Sequence, residues 1–245
     1  MENNDLLNKS KIKEFMAKYG ILLSDIRKRI LLVFIVFAIS TFIGFSTYEQ
    51  ILKFLIGTLS LDGINIVFTS PFQFINLAIS CGVATGIIIA FPLLIFEILS
   101  FLRPALKNKE YKIIVRYIPS SLILFLIGFI FGILIMKWQV DIFMIRSISI
   151  GIGNILDISK LLSVVLLTSV FMGLGFQFPI VLLILIKLEV VKRSQLTKIR
   201  KWVYLASFLF ALLLPPDSIL ADIILSLPLI ILYEITLLVG VRKET

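Results

Sequence analysis

The chain is a succession of apolar stretches longer than most soluble cores accommodate, and its cations are gathered into the gaps between them. Of 24 Lys and Arg residues, 20 fall in four islands: Lys9–Arg29, Arg103–Arg116, Lys187–Lys201 and Arg242–Lys243. The apolar stretches lie between these islands two at a time. The segments joining each pair hold only Lys53, Lys137, Arg146 and Lys160. Basic loops that all stay on one side are the signature of a polytopic membrane protein oriented by its positive charges. The pattern predicts an even number of spans with both termini in the cytoplasm.

With 59% hydrophobic and 16% charged residues, and a mean hydropathy of +1.08, the composition agrees with that solvent. The formal charge of +9 does not point to nucleic acid. Its cations flank apolar runs instead of lining a solvated basic face. The chain has no histidine, and its single cysteine, Cys81, lies inside an apolar run. Ser-His and Cys-His catalysis, His-ligated zinc or haem and an intrachain disulfide are thereby excluded. No metal or cofactor site is expected. Nearly thirty mostly polar residues precede the first apolar run, which does not read as a cleaved signal.

One transmembrane domain is expected over residues 1–245, all-α, with spans at about 30–47, 71–102, 118–136, 161–186, 202–214 and 219–239. Within the cytoplasmic N-terminus (1–29), Ile12, Phe15, Met16 and Tyr19 recur at i, i+3, i+4 and i+7. That spacing predicts an amphipathic helix on the membrane surface, interrupted near Gly20. Residues 48–70 read as an outer loop with some helix of its own. A second outer segment covers 137–160, turning at Gly151, Gly153 and Asn154. Pro71 opens the second span, Pro92 is a candidate kink, and Pro179 falls inside the fourth. The last two spans are short. Residues 202–214 make about 20 Å of helix against roughly 30 Å of hydrocarbon. They and the segment after Pro215-Pro216-Asp217 read equally as two short spans or as a re-entrant hairpin.

Ionisable groups inside apolar spans cost roughly 2.5–3.5 kcal/mol at a helix centre and therefore mark partners or function. Here they are Glu97, Asp222 and Glu234, joined by the amide of Gln177. Each carboxylate could meet an interfacial Lys or Arg, and Gln177 could tie two helices or face a partner protein. Together the four could instead form the midplane site of an ion-coupled secondary transporter. Asp25 and Glu110 differ from these, because each is an acid embedded in a basic island. The alternatives are a local ion pair, contributing about 0–1 kcal/mol, or a carboxylate pair able to accept guanidinium groups.

Taken in order, several motifs resemble the TatC family, the polytopic subunit of the twin-arginine (Sec-independent) protein translocase. They are Leu22-Leu23-Ser24-Asp25-Ile26-Arg27-Lys28-Arg29, Ser70-Pro71-Phe72, Phe101-Leu102-Arg103-Pro104-Ala105-Leu106 with Glu110, Phe176-Gln177-Phe178-Pro179, Pro215-Pro216-Asp217, and Pro228 through Leu232-Tyr233-Glu234. The resemblance implies six true spans and a receptor scaffold, not an enzyme. It places Asp25, Arg27, Phe101, Pro104 and Glu110 at positions that recognise twin-arginine signal peptides of folded cargo. It places Gln177, Asp217, Tyr233 and Glu234 among positions that meet partner helices or serve transport. The implied partners are TatA-type and TatB-type single-span proteins, membrane lipid and further copies of the chain, with transport driven by the proton-motive force. The implied location is the cell membrane, with an organelle membrane as the alternative. Three positions depart from the family pattern: Tyr111 where Arg is common, Gln177 where Glu is usual, and Ala221 where Gln is frequent, with Asp222 beside it.

Overall fold

In the computed structural model, residues 2–59, 65–67, 70, 72–149, 155–215 and 218–240 are described. Apart from two three-residue strands and the turns between elements, they are helical. In chain order they form α1 (Glu2–Ser46), α2 (Tyr48–Leu59), β1 (Asn65–Val67), α3 (Gln73–Leu102), α4 (Asn108–Ser149), β2 (Ile155–Asp157), α5 (Ile158–Gly175), α6 (Phe178–Lys187), α7 (Arg193–Lys198), α8 (Arg200–Leu212) and α9 (Ile219–Gly240). Five helical segments are long and apolar enough to cross a membrane: Ser24–Ser46, Gln73–Leu102, Asn108–Ser147, Ile158–Lys187 and Ile219–Val239. The 13-residue α8 falls short of that length. Large apolar side chains cover the outside, with Trp202 71% and Leu213 83% exposed. Such a surface is stable only against lipid or a partner.

Three expected boundaries move. The first helix runs unbroken through Gly20, because one interior glycine costs only about 1 kcal/mol relative to alanine. The side chains of Ile12, Phe15, Met16 and Tyr19 lie outside the described residues. Helix α4 continues to Ser149, well into the segment expected to be an outer loop. No Gly or Pro interrupts 133–149, and Met136, Val140 and Met144 extend an i, i+4, i+8 stripe into the core formed with α2, α3 and α5. The third change is inside the fourth span, Ile158–Lys187, where α5 ends at Gly175 and Pro179 opens α6. Its missing N–H suits the first turn of a helix. Phe176 and Gln177 form the turn before it, donating their N–H groups to Met172 O (3.0 Å) and Leu174 O (3.0 Å). Pro92 lies within α3.

Packing depends on small residues that let backbones approach. At Gly82, an added Cβ would lie 2.7 Å from Thr41 O on α1, and at Gly86 it would collide with the Thr41 hydroxyl. A second seam joins α4 to α5. There a Cβ on Gly128 would fall 2.7 Å from Met172 O, and one on Gly132 2.5 Å from the Ser169 Cα. Both are small-xxx-small arrangements, the usual way for membrane helices to approach closely. The sequence reading missed them, although the spacings 82/86 and 128/132 are plain in the chain.

At one end of the bundle the two long connections are clipped together. Strand β1 pairs in parallel with β2, Asn65 opposite Ile155 and Val67 opposite Asp157. Gln73 Nε2 donates to Asp157 Oδ2 (2.6 Å), and Ser159 Oγ donates to Gln73 O (2.8 Å). The Asp157 carboxylate also caps α5 through Lys160 N–H (3.1 Å). The opposite end carries the described basic islands. Helix α6 ends there in a Schellman turn: Glu189 N–H reaches Ile186 O (3.0 Å) and Val190 N–H reaches Leu185 O (3.1 Å). Its left-handed position is filled by Glu189, φ 58°, where glycine is usual.

Gly132→Ala should lower the thermal midpoint of the purified protein, by the equivalent of about 1–3 kcal/mol, because the obstacle is the backbone of α5. Gly57→Ala meets nothing within 4 Å and should be neutral or stabilising by up to about 1 kcal/mol. Equal midpoints for the two variants would refute the seam.

Candidate functional site: polar networks at the basic end of the bundle

Three polar networks sit where apolar helices meet. The first links the start of the α1 span to the end of α3. Arg29 donates from Nε to Asp25 Oδ2 (2.9 Å) and from Nη1 to Glu97 Oε2 (2.8 Å). One turn of helix separates Asp25 from Arg29, whereas Glu97 is 68 residues away. The local ion pair expected for Asp25 is therefore present, and so is the arginine partner expected for Glu97. What the sequence did not disclose is that one guanidinium serves both. Asp25 stays about half exposed and uses only Oδ2, so its second oxygen makes no hydrogen bond among the described residues. Arg27, two residues on, is exposed.

The turn between α3 and α4 carries the next group. Phe101 is half-buried at the end of α3, and Pro104 is exposed in a single 3₁₀ turn, Arg103–Ala105. Glu110 lies in the first turn of α4 and accepts the Lys107 N–H at Oε2 (2.9 Å), the reciprocal half of a capping box. No described cation pairs with it within 4 Å, so the local ion pair weighed for Glu110 is not formed, and its other oxygen is open. The departure at Tyr111 has a local role: the Arg103 guanidinium carbon lies 5.4 Å from its ring centroid, a cation–π contact. An arginine at 111 would repel Arg103. The carboxylate that shares a partner with Asp25 is thus Glu97, while Glu110 stands apart at the start of α4.

The second network is within the span region. Gln177 accepts a short hydrogen bond from the Ser121 hydroxyl and donates Nε2 to Ser121 O (3.2 Å) and Gly173 O (3.3 Å). Both amide hydrogens are used, which fits a tie between α4 and the α5–α6 turn. A third network locks the final hairpin. Glu234 accepts from the Tyr204 hydroxyl (2.5 Å) and pairs with Arg200 (3.2 Å), so the start of α8 lies against the end of α9. Tyr233 is fully enclosed, donates its hydroxyl to Leu196 O (2.8 Å) and stacks with Phe178. Within the single chain it is a packing residue that joins α9 to α6 and α7. Asp217 lies outside the described residues. Ala221 and Asp222 are both buried in the first turn of α9. Twelve residues, about 18 Å of helix, separate Asp222 from Glu234. Glu97, Gln177 and Glu234 each belong to a different network, so the four groups considered for a transporter site are not gathered into one.

Helices long enough to cross a bilayer, an apolar exterior and polar groups drawn into networks between helices define a multi-pass membrane protein. The chain belongs to the TatC family: the model of the Sec-independent protein translocase protein (TatC) matches residues 22–228. It is 32% identical to the Sec-independent protein translocase protein TatCy of Bacillus subtilis (strain 168), over 89% of this chain and 86% of that protein. It is 28% identical to the corresponding TatC of Carboxydothermus hydrogenoformans, over 89% and 90%. Among solved structures it resembles the twin-arginine translocase receptor TatC crystallised in DDM, with TM-score 0.79 and 25% identity over 89% of this chain and 99% of that one. A second crystal structure of that receptor gives TM-score 0.78 at 26% identity, over 89% and 97%. Its function is that of the family, in Sec-independent protein translocation.

Ser121→Ala removes the hydroxyl donor to Gln177 and leaves the amide oxygen without it. Stability should fall by roughly 0.6–1.7 kcal/mol, read as a lower thermal midpoint in detergent. No change would mean that Gln177 does not depend on α4.

Proposed function

We propose that this chain is the core receptor of a twin-arginine translocase, binding paired-arginine signal peptides of folded cargo at the cytoplasmic face of the cell membrane. Its six spans would be the five long helical segments plus α8, a short span around which the bilayer thins, with both termini inside. The observation that carries the reading is the open oxygen on each of Asp25 and Glu110, two acids set in otherwise repelling basic islands. A guanidinium approaching such a surface is attracted only where a carboxylate is placed, and a planar donor fork suits a carboxylate better than an ammonium does. Arg29 holds Asp25 in place, Arg103 and Tyr111 brace the neighbouring turn, and exposed Pro104 and half-buried Phe101 offer an apolar contact beside Glu110. In this reading TatA-type and TatB-type single-span proteins dock on the apolar faces, with Gln177 and the final hairpin holding the helices that present them. The proton-motive force drives transport, and further copies of the chain join the complex.

A photocrosslinker at exposed Lys109 should capture a signal peptide bearing two arginines and spare one bearing two lysines. Equal capture would overturn the assignment. Glu110→Gln keeps an acceptor for the Lys107 N–H and should leave the thermal midpoint in place. It should weaken peptide binding at least tenfold, as loss of a charge-assisted bond of about 1.5–3 kcal/mol implies. The matching Glu49→Gln change, at an acid outside the motifs, should have no effect on binding.

A further inference from the structure

A cleft of about 1040 Å³ opens between the first turns of α4 and the loop joining α6 to α7. Its walls bring together four cations from two separate basic islands: Arg116, Lys187, Lys192 and Arg193. None of the four lies within 4 Å of a described carboxylate. The acid on the wall is Glu189, held at the strained left-handed position of the Schellman turn. One carboxylate cannot neutralise four cations, so the cleft carries an excess of positive charge that an anion would relieve. Arg193 is already oriented for one: its Nε donates to Leu237 O on α9 (3.1 Å), which fixes the guanidinium and leaves its terminal amino groups uncommitted. Tyr117 supplies a hydroxyl on the same wall.

The position of the cleft limits what that anion can be. Lys187 closes the span Ile158–Lys187, and Arg116 lies two helical turns into the span that begins at Asn108. Both therefore stand where a long apolar segment meets a basic island, the boundary that a membrane-embedded helix places near the lipid headgroups. Basic pockets between transmembrane helices at that depth favour anionic lipid headgroups.

We propose that this cleft is a binding site for the phosphate of an anionic phospholipid headgroup. Arg193 and Arg116 provide guanidinium forks for the phosphate oxygens, and Lys187 and Lys192 add point charges around it. The site is distinct from Asp25 and Glu110, which would attract cations, and it does not require the signal-peptide reading to be correct.

The test uses the full-length chain in detergent, titrated with phosphatidylglycerol, with phosphatidylcholine or with soluble sn-glycerol 3-phosphate. Thermal midpoints and native-mass-spectrometry adducts are read in each case. Saturating phosphatidylglycerol should raise the midpoint by about 5 °C or more and leave one retained lipid. Phosphatidylcholine should do neither. Arg116→Gln with Lys192→Gln, both exposed positions whose change should not disturb the fold, should remove most of the shift and the retained lipid. Lys112→Gln, an exposed cation of the same island that does not line the cleft, should keep both. An equal shift from phosphatidylcholine, or an undiminished one in the double variant, would overturn the site. An equal shift from glycerol 3-phosphate would overturn the assignment to lipid and identify a soluble phosphate as the ligand.

Discussion

Close approach of helix backbones is the interaction on which the remaining structure depends. In hydrocarbon there is no gain from hiding apolar side chains from lipid, so association rests on contact area and on polar groups that meet across the gap. The seams at Gly82 and Gly86 against Thr41, and at Gly128 and Gly132 against Ser169 and Met172, supply that contact. They also set the geometry of the polar networks. Arg29 reaches Glu97 because α1 lies tight on α3, and Gln177 reaches Ser121 because α4 lies tight on α5. A wider separation at either seam would break these contacts and leave polar groups facing lipid, which is unfavourable.

The networks divide the labour between holding and presenting. Gln177, Tyr233 and Glu234 are occupied inside the chain, which makes the helices around them one body. Asp25 and Glu110 are anchored through one oxygen each and keep the other. That contrast suits a receptor: a rigid helical frame carries a few acids at fixed heights on a basic surface. The cleft around Arg193 inverts the same logic, with cations gathered and a single acid among them. As proposed, one end of the bundle would offer separate places for cationic and anionic groups.

Much of the candidate site was legible residue by residue, and little of it as an arrangement. Asp25, Glu97 and Glu110 stand out in the sequence because acids are misplaced in basic islands and apolar spans. Their partners do not stand out, since Arg29 is one cation among seven in its island and Glu97 follows 68 residues later. Tyr111 looked like a departure from pattern until Arg103 was seen above its ring. The break before Pro179 could have been placed from the proline alone, and the extension of α4 from the absence of breakers after Met136. The pairing of residues 65–67 with 155–157 could not, because the paired residues stand ninety positions apart in two segments with no special composition.

By itself, the sequence determined the solvent, the long membrane segments, the family and the residues whose chemistry is out of place. These are properties of local composition and order along the chain, and hydrocarbon enforces them strongly: an apolar run of that length has few alternatives to a spanning helix. Only the tertiary structure decided which acid shares which arginine, which tyrosine is sealed inside, and where four cations converge around a single acid. Those outcomes depend on how closely and at what register the helices pack. That is a matter of a few ångströms at the glycine seams, and the spacings 82/86 and 128/132 mark those seams in the chain without saying which helix each one meets.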